Sequence, residues 1–346
     1  MFKRLFGQAP AVPPGDAARS PAAQRADALL RQLEWTVLRR LDGLLQGHYK
    51  TLMRGSGLDL ADLREYQLHD DVRHIDWNVT ARLQQPHVRV FTEDREMAAW
   101  FLLDLSPSVD FGSGEQRKSD VLLRFTAVLA RLISGQGNRV GAMVYGSRGR
   151  ARVEAMLPAR GGRLHVLRLL QMLMPASTGK APAPAGTAAT RLGDLLRGAV
   201  FTVRQRSTVF VVSDFISQPG WERPLGELAR RHDVVAVRLV DPLELELPDL
   251  GLIPIRDAET GEQIEVDTSD KGFRQRFARI AAQREAQLRD SLARAGVDTL
   301  ELATDEDLSD AVLRFVDLRE RRVRHGALGR PMPTQLPRRT REGMRA

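Results

Sequence analysis

The chain has 346 residues, of which 42% are hydrophobic and 28% charged, with a formal net charge of +8 and no cysteine. This length supplies a core for one large domain or two small ones, and the lack of cysteine excludes disulfides, thiolate chemistry and cysteine-ligated metals. No apolar run approaches the roughly 20 residues of a membrane helix and no signal-peptide core follows the first residues, so we expect a cytoplasmic protein without a transmembrane segment.

Most of the positive charge lies at the C-terminal end. Residues 319–346 hold nine arginines and two glutamates, a net +7 of the +8 total, which leaves the rest of the chain nearly neutral. A basic tail with several prolines and glycines, here 326–346, is typical of a solvated, disordered end. We therefore expect no nucleic-acid binding.

The N-terminal quarter divides into three parts. Residues 1–23 are rich in proline and predict a flexible leader, whose few apolar residues at 2–6 are too short a segment for us to expect membrane-surface contact. Apolar residues then recur at helical spacing over 24–45, which predicts one amphipathic helix. The stretch 64–82 combines Arg, Asp, Tyr and Trp, so the unit 24–96 is predicted to end in an ordered, salt-bridged segment packed against the main domain.

From residue 88 on, the sequence alternates strands with helices, and the main domain is predicted over 97–325. Strands are predicted at 88–91, 98–103, 140–145, 208–213, 233–240 and 299–302, and helices at 121–133, 163–173, 191–203, 221–230, 271–295 and 308–323. This order is typical of a doubly wound α/β domain with a mostly parallel sheet. Residues 251–266 predict an inserted hairpin, and 175–186 predict a long loop.

Three oxygen-bearing side chains follow the strand predicted at 98–103. Asp104, Ser106 and Ser108 alternate directly after an apolar run that suits a strand buried on both faces. Ligands of parallel sheets collect at the carboxyl ends of the strands. One carboxylate and two hydroxyls form a hard oxygen set that favours Mg²⁺ or Mn²⁺ over Zn²⁺.

Two other segments offer oxygen ligands for the same cation. Asp214 follows the strand predicted at 208–213, again at a carboxyl end. Thr190 precedes the helix predicted from residue 191, where a hydroxyl also serves simply as an N-cap. Thr187 is the alternative to Thr190 as a ligand.

The pattern Asp104-x-Ser106-x-Ser108, with Thr190 and Asp214 later in the chain, resembles the metal-ion-dependent adhesion site (MIDAS) of von Willebrand factor A domains. The resemblance implies that the three hydroxyls coordinate the ion and that the two aspartates hold it directly or through water. It also implies that an acidic side chain of a partner completes the coordination, so that the site binds protein without reacting.

A second resemblance lies in Arg64-Glu65-Tyr66, Asp70-Asp71, Ile75-Asp76-Trp77 and Asp241-Pro242-Leu243-Glu244. These groups closely resemble the bacterial family catalogued as domain of unknown function 58 (DUF58), and the match covers roughly 28–325. Proteins of that family look like von Willebrand factor A-type domains and are often encoded beside MoxR-type AAA+ ATPases. The resemblance implies an adaptor or co-chaperone that couples such an ATPase to a client protein during maturation or complex assembly.

An enzyme is the rival hypothesis, and common catalytic motifs are absent from the sequence. There is no Gly-x-x-x-x-Gly-Lys-Ser/Thr loop. Ser106 stands where an aspartyl-phosphate phosphatase has a second Asp, and it lacks the flanking glycines of a serine-hydrolase elbow. A metal-dependent hydrolase using Asp104 and Asp214 stays open as the alternative, although no general base is evident. We expect a non-enzymatic, protein-binding role.

Overall fold

The computed structural model describes residues 21–38, 41, 60–67, 70, 72, 75–91, 98–146, 152–174, 190–256 and 263–324. The strands are β1 (Leu60–Glu65), β2 (His87–Phe91), β3 (Ala98–Asp104), β4 (Arg139–Tyr145), β5 (Val153–Arg160), β6 (Thr208–Ser213), β7 (Asp233–Val240), β8 (Leu252–Arg256), β9 (Gln263–Asp267) and β10 (Asp298–Ala303). The α-helices are α1 (Pro21–Leu33), α2 (Trp77–Leu83), α3 (Lys118–Gly135), α4 (Arg163–Leu173), α5 (Leu192–Thr202), α6 (Glu222–Arg231), α7 (Lys271–Ala295) and α8 (Leu308–Arg324).

A six-stranded sheet with the order β10-β7-β6-β3-β4-β5 forms the centre of the protein. Every neighbouring pair is parallel except β4 and β5. The predicted mixed α/β architecture with a mostly parallel sheet is therefore confirmed. β5 was not predicted, because it is an edge strand whose residues alternate between half-buried and exposed and which contains Pro158.

Each face of the central sheet has its own hydrophobic core, because side chains along a strand point alternately to the two faces. Phe101 and Leu103 of β3 join a cluster with Phe125 of α3. Trp100 and Leu102 join the opposite cluster, which contains buried residues of α5 and α6. All seven residues of β3 are consequently buried, and its carboxyl end opens at the middle of the sheet edge.

The N-terminal helix differs from the prediction in its regularity. α1 ends at Leu33 and is followed by a π-helical turn at Glu34–Leu38, which interrupts the regular helix expected over 24–45. Residues 39–40 and 42–45 of that prediction lie outside the described residues. Its buried face, with Ala26 and Leu30, joins the same core as α3 and α4. Arg163 of α4 pairs with Asp27 at 3.0 Å and with Glu34 at 3.1 Å, which fixes α1 against the domain. Of the leader predicted over 1–23, residues 1–20 lie outside the described residues, and 21–23 are not flexible leader but the first residues of α1.

Strands β1 and β2 form a separate antiparallel pair, and α2 lies between them in the chain. β1 was not predicted, and the predicted strand at 88–91 pairs with it rather than with the central sheet. Arg64 makes two hydrogen bonds to the carboxylate of Asp70, as expected of a salt-bridged segment. Trp77, however, is 70% exposed, so its ring does not contribute to the predicted packing of this segment.

Strands β8 and β9 pair antiparallel where the sequence predicts a hairpin, and the predicted turn at 257–261 falls outside the described residues. The long helix α7 follows, and β10 and α8 complete the described fold. In the described ranges, no helix is both long and apolar enough to cross a bilayer. The predicted basic tail at 326–346 is not among the described residues.

Candidate metal centre

The candidate site lies where β3 and β6 end side by side. These strands are parallel neighbours, with Leu103 opposite Val212. Asp104 is the last residue of β3, while Ser213 ends β6 and is followed by Asp214. The two predicted carboxylates therefore belong to adjacent strand ends, the position at which parallel sheets bind their ligands.

Asp104 is fully buried and held by two hydrogen bonds. Its Oδ1 accepts the backbone N–H of Ser106 at 3.0 Å, and its Oδ2 accepts the hydroxyl of Ser213 at 2.7 Å. Sequence reasoning did not assign a role to Ser213. The feature of the sequence that could have indicated a role for Ser213 is its hydroxyl at the last position of a buried apolar strand, directly before Asp214.

Burial, and after it the negative charge of Asp214, raise the pKa of Asp104 to about 6, although the hydrogen bonds from Ser213 and Ser106 act to lower it. Two carboxylates thus disfavour each other's charge in a buried environment. A cation placed between them would offset the desolvation and the repulsion together.

Ser106 and Ser108 contribute two buried hydroxyls on the turn that follows β3. Their Oγ atoms are 3.2 Å apart, and the turn is a 3-10 helix at Pro107–Asp110. Gly146, after β4, passes close behind this turn. A Cβ there would lie 3.1 Å from the backbone nitrogen of Ser106, and the φ of Gly146 is +76°. Glycine therefore permits both the close approach and the left-handed backbone.

Both oxygens of Asp214 are engaged by the protein. Oδ1 accepts the N–H of Ile216 at 3.0 Å, and Oδ2 accepts the ammonium of Lys118 at 2.8 Å. Phe215, the next residue, has a φ of +60°, which is uncommon for a bulky side chain and is typical of functional sites. The hydroxyl of Ser213 accepts the N–H of Phe215 at 2.9 Å and so supports this conformation.

Lys118, in the first turn of α3, places a buried ammonium in the site. Besides Asp214, its Nζ donates to Oε1 of Glu244 at 2.6 Å, and its side chain is fully buried. Burial tends to lower the pKa of Lys118, but the charges of Asp214 and Glu244 outweigh it and the pKa lies above its usual value. Burial raises the pKa of Glu244 in spite of the neighbouring ammonium.

Glu244 is positioned by its own segment, Asp241-Pro242-Leu243-Glu244. Its Oε2 accepts the N–H of Asp241 at 3.1 Å. Asp241 accepts the N–H of Ser113 at 2.9 Å and the hydroxyl of Thr304 at 2.8 Å. Although burial raises the pKa of Asp241, these bonds outweigh it and lower the pKa overall. The segment thus ties the loops after β3, β7 and β10 together and directs Glu244 toward Lys118.

Thr190 is buried and attached to the loop after Asp214. Its carbonyl oxygen accepts the hydroxyl of Ser217 at 3.0 Å and the N–H of Gln218 at 2.9 Å. The N-cap of α5 is Arg191, and the N–H of Leu192 is bonded to Ser217. The alternative interpretation of Thr190 as the N-cap of this helix is therefore wrong. The rival ligand, Thr187, lies outside the described residues.

The structure brings Asp104, Ser106, Ser108 and Asp214 to one edge of the sheet and anchors Thr190 to the same loops. Lys118 and Glu244 were missed as members of this cluster. Three carboxylates and one ammonium give it a formal net charge of −2, the complement of a divalent cation. No group of three or more Asp, Glu, His or Cys side chains within the described part could hold a metal. A cation here would therefore depend on the hydroxyls, and this hard oxygen set fits Mg²⁺ or Mn²⁺.

The family described as Protein of unknown function DUF58 matches residues 62–287 of this chain. Uncharacterized proteins of Mycobacterium tuberculosis and Mycobacterium bovis are each 39% identical over 295 residues, which are 85% of this chain and 90% of theirs. An uncharacterized protein of Mycobacterium avium is 38% identical over 166 residues, 48% of this chain and 94% of its own length.

Solved structures show a looser likeness. The conserved hypothetical protein BatB from Bacteroides thetaiotaomicron is 14% identical, with a TM-score of 0.38 over 65% of this chain and 99% of its own. The PilB minor pilin from Streptococcus sanguinis is 10% identical, with a TM-score of 0.37 over 68% of this chain and 64% of its own.

Proposed function

Because this chain belongs to the DUF58 family, we propose that it is a non-enzymatic, protein-binding adaptor or co-chaperone with a von Willebrand factor A-like domain. Its MIDAS-type site takes Mg²⁺ or Mn²⁺ on Asp104, Ser106, Ser108, Thr190 and Asp214. The bound cation supplies a coordination position for an acidic side chain of a partner. The proposed partners are a MoxR-type AAA+ ATPase and a client protein in the cytoplasm.

The observation that carries this proposal is the buried cluster at the ends of β3 and β6. Asp104 and Asp214 are buried there, close enough for the charge of Asp214 to raise the pKa of Asp104. The hydroxyls of Ser106 and Ser108 lie in the turn directly after Asp104. Buried carboxylates are stabilised by a cation, and adjacent hydroxyls provide neutral oxygen ligands for it.

The hydrogen bonds of the cluster favour binding over hydrolysis. Each carboxylate oxygen of Asp104, Asp214 and Glu244 already accepts a bond from the protein. A general base needs an oxygen directed at a water and at the substrate. These carboxylates are instead oriented as fixed negative charges, which supports the adaptor over the metal-dependent hydrolase.

The ATPase partner is supported by the family resemblance described in the sequence analysis. Proteins of that family are often encoded beside MoxR-type ATPases, and the resemblance includes the Asp241-Pro242-Leu243-Glu244 segment. Because this segment holds Glu244 against Lys118, the same residues that carry the resemblance also build the site.

The test is affinity purification of the full chain with Mg²⁺ or with a chelator. We expect the wild type to retain an AAA+ ATPase only with Mg²⁺, and Asp104→Ala to lose it. Asp110→Ala is the matched control, since this exposed acid lies on the same turn and pairs with Arg117. Identical retention by wild type and Asp104→Ala would contradict the proposal. Mg²⁺-dependent hydrolysis of a phosphoester or peptide that requires Asp104 would favour the hydrolase.

A further inference from the structure

A buried lysine belongs to the candidate metal centre, although lysine is seldom buried without a partner. Lys118 is placed by the start of α3, where its backbone N–H bonds to the carbonyl oxygen of Phe111 at 2.9 Å. Its Nζ lies 5.9 Å from the centre of the Phe111 ring and bridges Asp214 and Glu244. The ammonium is therefore a permanent part of the cluster.

The position of this ammonium divides the cluster into two parts. Lys118 contacts Oδ2 of Asp214, whereas Oδ1 of Asp214 accepts the N–H of Ile216. Asp104 bonds instead to Ser213 and to the backbone of Ser106. Lys118 thus offsets the charges of Asp214 and Glu244, whereas Asp104 is held by Ser213 and the backbone of Ser106.

We propose that Lys118 is a built-in countercation that sets the affinity of this centre for divalent metal. With Lys118 present, the cluster has a net charge of −2 instead of −3, so the protein folds without a metal and binds Mg²⁺ reversibly. The inference rests on the proposed metal site, and it adds the residue that determines how tightly the site holds its ion.

A lysine suits this role better than an arginine would. Its ammonium is a compact charge on a flexible stem, whereas a guanidinium carries donors in a rigid planar fork. An interaction between unit charges a few ångströms apart in a protein amounts to several kcal/mol even at an effective dielectric constant of about 20. Removal of the ammonium should therefore strengthen metal binding by about tenfold or more.

The experiment is a charge cycle on the full chain, stripped of metal and titrated with Mg²⁺ by calorimetry and by thermal unfolding. We expect Lys118→Met to bind Mg²⁺ at least about tenfold more tightly and to need Mg²⁺ for its thermal stability. Glu244→Gln should bind Mg²⁺ severalfold more weakly. The double variant restores the net charge of −2 and should return to within a few-fold of the wild-type affinity. Arg117→Met, an exposed neighbour, should leave the affinity unchanged.

The double variant distinguishes an effect of the positive charge of Lys118 from an effect of Lys118 on the orientation of Asp214. If Lys118 acts only by orienting Asp214, then Lys118→Met and the double variant will both bind Mg²⁺ more weakly than the wild type, and the proposal is overturned. If Lys118→Met does not fold even with Mg²⁺, an unchanged or tighter affinity of Glu244→Gln overturns it as well.

These experiments distinguish a failure of the role proposed for Lys118 from a failure of the proposed adaptor function. A wild type that binds Mg²⁺ and shows the expected charge cycle, but retains no ATPase, refutes the adaptor and leaves the role of Lys118 intact. A wild type that retains the ATPase through Asp104, while Lys118→Met binds Mg²⁺ no more tightly, refutes only the role of Lys118.

Discussion

The carboxyl ends and the amino ends of the parallel strands form two opposite edges of the central sheet, here called the carboxyl edge and the amino edge. Each of them holds a buried cation that bridges two carboxylates. At the carboxyl edge this cation is Lys118. At the amino edge, Arg319 of α8 donates to Asp233 at 2.6 Å and to Asp298 at 2.9 Å, and these acids are the first residues of β7 and β10. The guanidinium of Arg319 also lies 5.5 Å from the centre of the Phe315 ring. Arg319 therefore clamps the last described helix to two strands.

The two clusters differ in what surrounds the cation. A guanidinium with its rigid fork suits a permanent connection between fixed carboxylates. Around Lys118, the third carboxylate of Asp104 and the hydroxyls of Ser106 and Ser108 add negative charge and oxygen ligands. The comparison indicates that similar ion pairs serve different purposes. The amino edge holds the fold together, and the carboxyl edge has the composition of a binding site.

The largest effect should follow from breaking the amino-edge clamp. Arg319→Met leaves the largely buried carboxylates of Asp233 and Asp298 without their cation, which should lower the free energy of unfolding by about 3–5 kcal/mol. Urea unfolding at pH 7 measures this loss, and the Mg²⁺ affinity should not change. Arg223→Met is the control, because its side chain is 89% exposed and its pairing with Glu227 should contribute less than about 1 kcal/mol. If Arg319→Met lowers the free energy of unfolding no more than Arg223→Met does, then the ion pairs of Arg319 contribute no more to stability than an exposed surface pair.

A smaller effect should follow at the carboxyl edge, and it should depend on metal. Mg²⁺ at about 100 times its dissociation constant should stabilise the wild type by about 2.7 kcal/mol, and it should not stabilise Asp104→Asn. Without metal, Asp104→Asn should be at least as stable as the wild type at pH 7, because it removes a buried carboxylate whose charge is disfavoured. Urea unfolding with and without Mg²⁺ checks both statements. Equal stabilisation of the two proteins by Mg²⁺ would show that the ion binds elsewhere.

The smallest effect concerns pH and the neutral side chain of His165. Its Nε2 bonds to the carbonyl oxygen of Val140 at 2.8 Å, and burial lowers the pKa of His165, with the charges of Arg160 and Arg168 acting in the same direction. A histidine whose folded-state pKa is depressed contributes stability above its ordinary pKa near 6.5, and that contribution is lost as the pH falls through the lowered folded-state value.

His165→Gln should therefore flatten the loss of stability below pH 6.5, since glutamine can donate to Val140 without titrating. Thermal unfolding between pH 5 and 8 in the absence of metal measures the difference. A wild type and a variant with parallel pH profiles would show that His165 is not protonated on unfolding in this range.

The sequence predicted the central strands well, because uninterrupted apolar runs are typical of strands covered on both faces. It predicted β5 and β1 poorly. β5 is an edge strand with exposed positions, and its pattern does not differ from that of a loop. The ring of Trp77 is exposed although it lies in a segment predicted to pack against the main domain, because an aromatic residue among charged neighbours does not reveal which side chains surround it.

The candidate site also contains residues that the sequence predicts and others that it does not. The sequence by itself determined that Asp104, Ser106, Ser108 and Asp214 stand at strand ends, since local order and hydrophobic pattern decide where a strand stops. Only the tertiary structure decided that Lys118 joins them. It lies 96 residues before Asp214 and 126 before Glu244, and a lysine in a helical first turn is ordinarily solvated. Its ammonium can be buried only because folding brings the carboxylates of Asp214 and Glu244 to it, and no local sequence pattern predicts such a long-range contact.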